Sequence, residues 1–400
     1  MHTLPTSVPI QQQIVLVGAG NAHLVFVRRW RTRPLPGVTV TLVNEAPTVP
    51  YSAMVAAHIA SDYQCDEITI DLERLCRSAG VRLVADRVTG LNPPARHMII
   101  ANRPSLAYNV LSLGLGSVPS DLTNSTDTGF ALTLRPLAAL LKCLTGIDVE
   151  LSARPRPFHF IVVGGGASGC ELSLAVHARL GHHPEFRMTL LQGNARLLPQ
   201  FPAKSAAAFE EAFRSRGITW RVDSRVIGGT PGELILANGE RRTCDAVLWA
   251  TPGSPPGLIR ASGLRTDERG FLRVRETLQA ESDAAIFGAG DCVSFATYPD
   301  LARSGVHAVR QGAVLYDNVT AFLREQPLRP FRPRRRCLYL LNAGDGTAVL
   351  NYGSIAWKAR WVRRLKDRID RRWVTSFLPP GPRGGSNATI SAEAAQRGEQ

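Results

Sequence analysis

No stretch of this 400-residue chain is apolar for long enough to cross a bilayer as a helix, which takes about 20 consecutive apolar residues. Cysteine is scarce as well. The seven cysteines are odd in number and contain no CxxC, so they spell neither a disulfide framework nor a zinc-finger spacing. A cytoplasmic, reducing home is the expectation. The start of the chain lacks the basic residues and long apolar centre of a leader, and the run into Gly18 reads as a first strand. Acidic residues are outnumbered, 33 against 47 Lys and Arg, for a net charge of +14. Without a zinc spacing, a helix-turn-helix pattern or an RNA-binding aromatic motif, that excess gives no reason to expect nucleic acid. An arginine-rich solvated surface is the favoured reading, ahead of an anionic membrane or partner.

What the chain does have is two glycine-rich turns of one kind. Ile14-Val-Leu-Val17 runs into Gly18-Ala-Gly20-Asn-Ala-His23, and Phe160-Ile-Val-Val163 runs into Gly164-Gly-Gly166-Ala-Ser-Gly169. Each is a buried-strand pattern, a tight turn and an apolar helical run. Small residues let the backbone approach a pyrophosphate, and a helix N-terminus aims free N–H groups at it. Two such turns in one chain point to two nucleotides held face to face. The first turn departs from the pattern at His23, where a third small residue usually lets helix and strand pack. The acid expected at the end of each second strand, for a ribose hydroxyl, is replaced by Asn44, with Glu45 behind it, and by Gln192. Gln192 would not repel a 2′-phosphate and Arg196 lies near it, so NADH and NADPH both stay open.

The order of elements repeats. Strand 38–43, a helix over 66–80, small antiparallel strands over 88–101 and a strand at 108–117 complete one cycle. Helix 167–180, strand 188–191, helix 209–217 and strand 244–254 complete another. The stretches 108–117 and 244–254 echo each other, each an apolar strand running into a glycine turn. A strand then ends in Gly290-Asp291, ahead of a helix over 304–323. That Asp can accept hydrogen bonds from a ribityl chain, and the helix N-terminus would stabilise a reduced flavin anion. A Pro/Arg linker at 326–336, strands over 337–352 and a basic helix over 357–377 follow.

On the strings GAGNAH, GGGASGCE, VLWATPGSPP and TLQAESDAAIFGAGD, the chain resembles the two-dinucleotide FAD/NAD(P) oxidoreductases of the pyridine nucleotide-disulfide oxidoreductase superfamily. VLWATPGSPP through GFLRVRETLQ looks especially like type II NADH dehydrogenases. RRWRTRPLPGVTVTLV, PYSAM, IDLERLC, LYLLNAGDGTAVLNYG and LKDRIDRRW are similar to the branch fused to, or encoded beside, selenide, water dikinase; the dikinase domain itself is missing from the chain. The resemblance implies an α/β fold of two Rossmann-like, three-layer ββα domains, the NAD(P) domain inserted in the FAD domain, plus a small C-terminal α+β segment. The expected parts are FAD-binding 1–125 and 266–325, NAD(P)H-binding 126–265, a C-terminal segment 326–377 and a disordered tail 378–400. It implies FAD at Gly18, Gly20, Gly290 and Asp291, with Asn44 and Glu45 at its ribose and Pro50 and Tyr51 of PYSAM beside the flavin. NAD(P)H falls to Gly164, Gly166, Gly169 and Gln192, with Glu171 near the nicotinamide. Gly116 and Gly253, in the echoing strand-end turns, line the cofactors.

The cysteines then set the subclass. Cys65 and Cys76 are too widely spaced for a redox pair beside a flavin, and Cys170 and Cys292 read as packing residues. Electrons should pass from NAD(P)H through FAD straight to a quinone-like small acceptor. A sulfide- or selenide-type flavin oxidoreductase using distant thiols such as Cys143 and Cys337, or a redox-sensing partner of the dikinase, are the alternatives. No catalytic residue is assigned; His23, His58 and His307 are weak candidates. No metal is expected, and His182-His183 reads as a solvated helix end. Trp357, Trp361, Leu365, Ile369, Trp373 and Phe377 recur every four residues among arginines. That stripe either docks on the body, the favoured reading, or lies on the inner face of the membrane.

Overall fold

The computed structural model describes residues 11–118, 131–134 and 136–379. The boundary expected at 125/126 and the tail from 380 lie outside them. The run Gln12–Val17 pairs in parallel with Val38–Asn44 on one side and Val110–Leu113 on the other. Val110–Leu113 is buried at every position, the continuous apolar pattern of a central parallel strand. These strands are interior to an eight-stranded sheet, with Arg82–Ala85 at the edge beside Val38–Asn44 and Asp283–Gly288 on the other side of Val110–Leu113.

A second sheet has five strands, all parallel, in the order Ala131–Thr133, Ala246–Trp249, Phe158–Val163, Phe186–Leu191, Thr219–Arg221. It is built between 131 and 249. The chain then returns to the first sheet, where Asp283–Gly288 lies parallel to Val110–Leu113. The α/β class, one Rossmann-like sheet set inside the other in sequence, therefore holds. A small antiparallel sheet accompanies each cycle, at Val88–Ala107 and at Val226–Thr243. A third, Leu338–Asn342, Ala348–Tyr352 and Ile355–Ala359, leads into the C-terminal helix.

Three local expectations change. The helix expected over 66–80 is split: Cys65–Ile68 and Leu72–Ala79 are helical, but Thr69–Asp71 is a strand paired with Thr48–Pro50. The β-branched Thr69 and Ile70 favour that state, and Asp71 caps the next helix by accepting from Arg74 N–H at 2.9 Å. The helix expected over 209–217 runs from Ala203 to Arg214, because the alanine-rich stretch after Pro202 is a strong helix former. Finally, Trp357 belongs to a strand, and the basic helix is Arg360–Thr375.

Candidate functional site

Both glycine turns have the backbone their sequences call for. Gly18 has φ +87°, and a Cβ there would stand 2.6 Å from the Gly114 carbonyl oxygen. Gly164 has φ +112°, and its Cβ would stand 2.7 Å from the Ala250 carbonyl oxygen. Only glycine fits either position. A Cβ at Gly169 would overlap the Gly164 carbonyl, so this third glycine is what lets the helix Ala167–Leu180 close onto the turn. Gly20 and Gly166 are the N-caps of their helices, and neither helix start is capped by a side chain. Uncapped N–H groups beside a side-chain-free turn fit a diphosphate. The site therefore suits two dinucleotides on its own geometry.

The two missing acids turn out to share one structural task. Asn44 Oδ1 accepts from Ala19 N–H at 2.9 Å, and Gln192 Oε1 accepts from Gly165 N–H at 3.1 Å. In each turn, an amide at the end of the second strand holds the residue after the first glycine. Asn44 also donates to the Ala46 carbonyl at 2.8 Å and Gln192 to the Arg196 carbonyl at 3.2 Å. The carboxylate next to the first turn is the exposed Glu45. Arg196 donates through one guanidinium nitrogen to the Pro199 and Phe201 carbonyls, at 2.8 and 2.7 Å.

His23 is resolved by the strand beside it. Its ring is fully buried; Nδ1 lies 2.6 Å from the Gly18 carbonyl and Nε2 2.8 Å from Ser112 Oγ. A Cβ on Gly114 would meet that ring at 2.6 Å. Gly114 thus supplies the space that the absent third glycine would have given. With Nδ1–H donating to the carbonyl, Nε2 accepts from Ser112. Burial holds the imidazole neutral, its pKa down at about 4.

The echoing loops meet. Val118 and Ser254 exchange backbone hydrogen bonds at 2.9 and 2.8 Å, and Gly253 packs against Ser117. The two nucleotide units are therefore joined at their strand ends, the edge on which both turns sit. Gly116, φ +68°, lies in the first of these loops. Gly290 N–H donates to Gln311 Oε1 at 2.6 Å. Gly290, Asp291 and Gln311 share a small cavity with Arg303, Ser304 and His307, at the uncapped start of the helix Gly305–Leu323. Gln311 has no motif to mark it in the sequence.

Glu171, Tyr51 and the C-terminal helix come together from three distant segments. Glu171 Oε1 accepts from Asn342 N–H at 2.7 Å, and burial raises the pKa of its carboxyl against the pull of Lys366. Lys366 and Asp370 are themselves buried, paired at 2.7 Å, and Lys366 also donates to the Ala53 carbonyl at 3.0 Å. Burial and the facing Asp370 carboxylate raise the pKa of the Tyr51 phenol. The PYSAM segment is thus latched from behind by a helix more than 300 residues later. Pro50, by contrast, is exposed. Lys366→Met should cost about 3–5 kcal/mol by leaving the buried Asp370 carboxylate without its ion-pair partner. Denaturant unfolding checks this, and the Lys366→Met/Asp370→Leu double variant should regain most of the loss. A double variant no better than the single one would refute the pairing as the cause.

The same helix divides the tryptophan stripe. Trp373 and Phe377 dock under Arg28, whose guanidinium sits 5.3 and 5.4 Å from their rings. Trp361 and Ile369 are exposed beside Arg364, Arg368 and Arg372, with Trp357 and Ile355 exposed on the preceding strand. The helix docks by one face and offers a second, apolar and basic, to its surroundings. No described helix is long and apolar enough to cross a membrane.

Next to Glu171 a cavity of about 390 Å³ opens between the helices Ser52–Ile59, Ala167–Leu180 and Arg360–Thr375. Its walls include Ala56, Ala60, Tyr63, Leu174, Ala175 and Asn342, with Arg363, Arg364 and Arg371 on the C-terminal side. The seven cysteines are all free thiols. Burial raises the pKa of four of them, to about 12 for Cys76 and Cys244, to about 11 for Cys292 and higher still for Cys170. Cys292 points back at the Leu113 and Ala289 carbonyls, at 3.5 and 3.4 Å. His58 bonds the Tyr63 carbonyl through Nδ1 at 2.8 Å.

Comparison with known proteins agrees with this geometry. The family model described as pyridine nucleotide-disulphide oxidoreductase matches residues 12–312. A probable NADH dehydrogenase of Dictyostelium discoideum is 25% identical over 92% of this chain and 90% of its own length. A demethylphylloquinone reductase of Synechocystis is 24% identical over 85% of this chain and 87% of its own. Among solved structures, the sulfide:quinone oxidoreductase of Aquifex aeolicus superposes with a TM-score of 0.77 at 15% identity, covering 93% of each chain. NDH2 from Plasmodium falciparum in complex with NADH gives 0.74 at 13% identity, covering 92% of this chain and 99% of that one. At those identities the likeness is one of fold.

Proposed function

The chain belongs to the pyridine nucleotide-disulphide oxidoreductase family, and we propose that within it this protein is an FAD-dependent NAD(P)H dehydrogenase delivering electrons to a quinone-type acceptor. Its cofactors are FAD and NAD(P)H. The observation that carries the reading is the junction of the two glycine-turn units through Val118 and Ser254, which sets both nucleotide cradles on one edge. When bound, FAD would supply the hydride-accepting and electron-transferring chemistry between NAD(P)H and the acceptor. The residues supply the rest. Gly18, Gly20, Gly164 and Gly166 admit the diphosphates, Gln311 fixes the Gly290 turn, and Lys366 fixes Ala53 beside Tyr51.

Reducing a quinone to a quinol with one NAD(P)H consumes one proton from solvent. Glu171 lies on the wall of the 390 Å³ cavity, and burial raises the pKa of its carboxyl. We assign that cavity to the acceptor and Glu171 to holding the proton at its mouth. The buried, high-pKa thiols support transfer without a redox disulfide. The exposed Trp357, Trp361 and Ile369 among arginines suit a peripheral seat on an anionic membrane, where a quinone would be met.

Anaerobic NADH or NADPH should bleach the purified flavoprotein, and a soluble quinone should restore its colour. A protein without flavin, or a flavin neither donor bleaches, would remove the reading. The assignment to the cavity moves Glu171 from the expected place near the nicotinamide to the acceptor step, so Glu171→Gln should slow the recolouring by at least tenfold, with bleaching unchanged, a barrier increase of at least about 1.4 kcal/mol. Equal slowing of both half-reactions would take Glu171 out of the acceptor step. A role beside selenide, water dikinase rests on the resemblance of PYSAM and LKDRIDRRW alone. Pull-down with that enzyme is its test.

A further inference from the structure

Two imidazoles and a carboxylate converge at the end of the second nucleotide helix remote from its glycine turn. The helix Ala167–Leu180 closes at Gly181, and His182 and His183 follow directly. Asp148 projects from the helix Leu137–Ala153. Nε2 of His183 lies 2.8 Å, and Nε2 of His182 3.6 Å, from the same Asp148 Oδ1. The two rings are 4.0 Å apart, and the ligating atoms of all three residues lie within 4.8 Å of one another. Among the described residues no other trio of His, Cys, Asp and Glu comes this close.

Hydrogen bonding uses only part of this cluster: His183 Nε2 is within reach of Asp148 Oδ1, whereas His182 Nε2, at 3.6 Å from the same oxygen, is too far to bond it. A single cation held by all three groups engages His182 as well. Tetrahedral donors with metal–ligand bonds of about 2.0–2.1 Å stand roughly 3.3 Å apart, between the two distances observed. The site also lies just beyond a helix C-terminus, whose partial negative charge favours a cation. Arg179, three residues before His182, donates to Thr145 Oγ1 at 2.7 Å, one turn before Asp148 on its helix. Two imidazoles and a carboxylate select zinc-class metals over magnesium or calcium.

We propose that Asp148, His182 and His183 form a divalent transition-metal site with its fourth position open to water. The metal clamps the helix Leu137–Ala153 to the far end of the helix that presents Gly166. At 1.5 Å per residue that end is about 20 Å from the turn, too far to touch a nucleotide. Its effect is on the rigidity of the second nucleotide unit, not on hydride transfer.

The test uses the full chain without an affinity tag, stripped by chelator and then titrated with Zn²⁺ by calorimetry and with Co²⁺ by visible absorbance. One metal per chain is expected, with the tetrahedral Co²⁺ spectrum and a rise in Tm on adding Zn²⁺. Asp148→Asn and His183→Ala should each weaken binding at least tenfold and remove the Tm rise. Their metal-free Tm, compared with that of the stripped parent, separates lost ligation from lost folding. Absence of saturable binding at micromolar metal, or unchanged binding in the His182→Ala/His183→Ala double variant, overturns the proposal.

Discussion

Alanine at Gly169 is expected to weaken flavin bleaching by NAD(P)H about a hundredfold while FAD stays bound. The new Cβ would occupy the space of the Gly164 carbonyl oxygen and come within 3.3 Å of Ala250 Cβ. Backbone cannot yield as a flexible side chain can, so the helix Ala167–Leu180 must lift off the turn. Forced overpacking of this kind costs about 1–3 kcal/mol or more. Losing about 3 kcal/mol of coenzyme binding weakens Kd by roughly a hundredfold. The first turn lies in the other sheet, so flavin content should be unchanged. Stopped-flow bleaching under anaerobic conditions reads the first effect, and the flavin-to-protein absorbance ratio reads the second. Gly166→Ala is the informative companion. Its Cβ meets nothing nearer than the Gln200 amide nitrogen at 3.8 Å, so the fold tolerates it, and a loss there reports crowding of the diphosphate itself. Bleaching by the Gly169 variant at near the parent rate would show that the turn is not the coenzyme cradle.

The second large effect is an acid-sensitive latch at His23. The folded chain holds this imidazole neutral, with a pKa of about 4 set by burial, whereas the unfolded chain has the ordinary value near 6.5. The folded state therefore binds fewer protons than the unfolded one between these values. The stability gained from the neutral ring is fully present above about pH 6.5 and is lost as pH falls towards 4. Its ceiling is about 3 kcal/mol. His23→Ala should remove that part of the acid dependence. At pH 8 it should itself cost about 3 kcal/mol, by leaving a cavity and two unpaired polar groups, the Gly18 carbonyl and the Ser112 hydroxyl. Unfolding measured in excess FAD from pH 8 to pH 4.5 checks both. His177 and His307 also have lowered pKa values from burial, so the parent-minus-variant difference is the quantity that isolates His23. An identical acid slope in parent and variant would show that the ring carries no latch.

Much of this was legible locally. Gly18 and Gly164 demand a left-handed backbone, and the runs before them demand a buried parallel strand, so the two turns follow from covalent geometry and patterning. The echo of 108–117 and 244–254 is likewise written in the chain, although that the two loops bond to each other is not. The sequence offers Asn44 as a ribose ligand and Gln192 as a residue that does not repel a 2′-phosphate. Their second task, bracing the turns, appears only when the end of one strand meets the start of a helix. Four-residue spacing puts the stripe from Trp357 to Phe377 on one face, but a strand boundary at Ala359 and a buried Lys366–Asp370 pair split it in two.

Sequence by itself determined that the chain forms two nucleotide units and where each begins, because φ sign, side-chain absence and β-branched runs act within a few residues. Tertiary structure alone decided how His23 fits and which groups gather at PYSAM. The space for an imidazole comes from Gly114 on a neighbouring strand, and the charges around Tyr51 come from a helix at the other end of the chain. Such contacts depend on three-dimensional closure, and no local pattern encodes them.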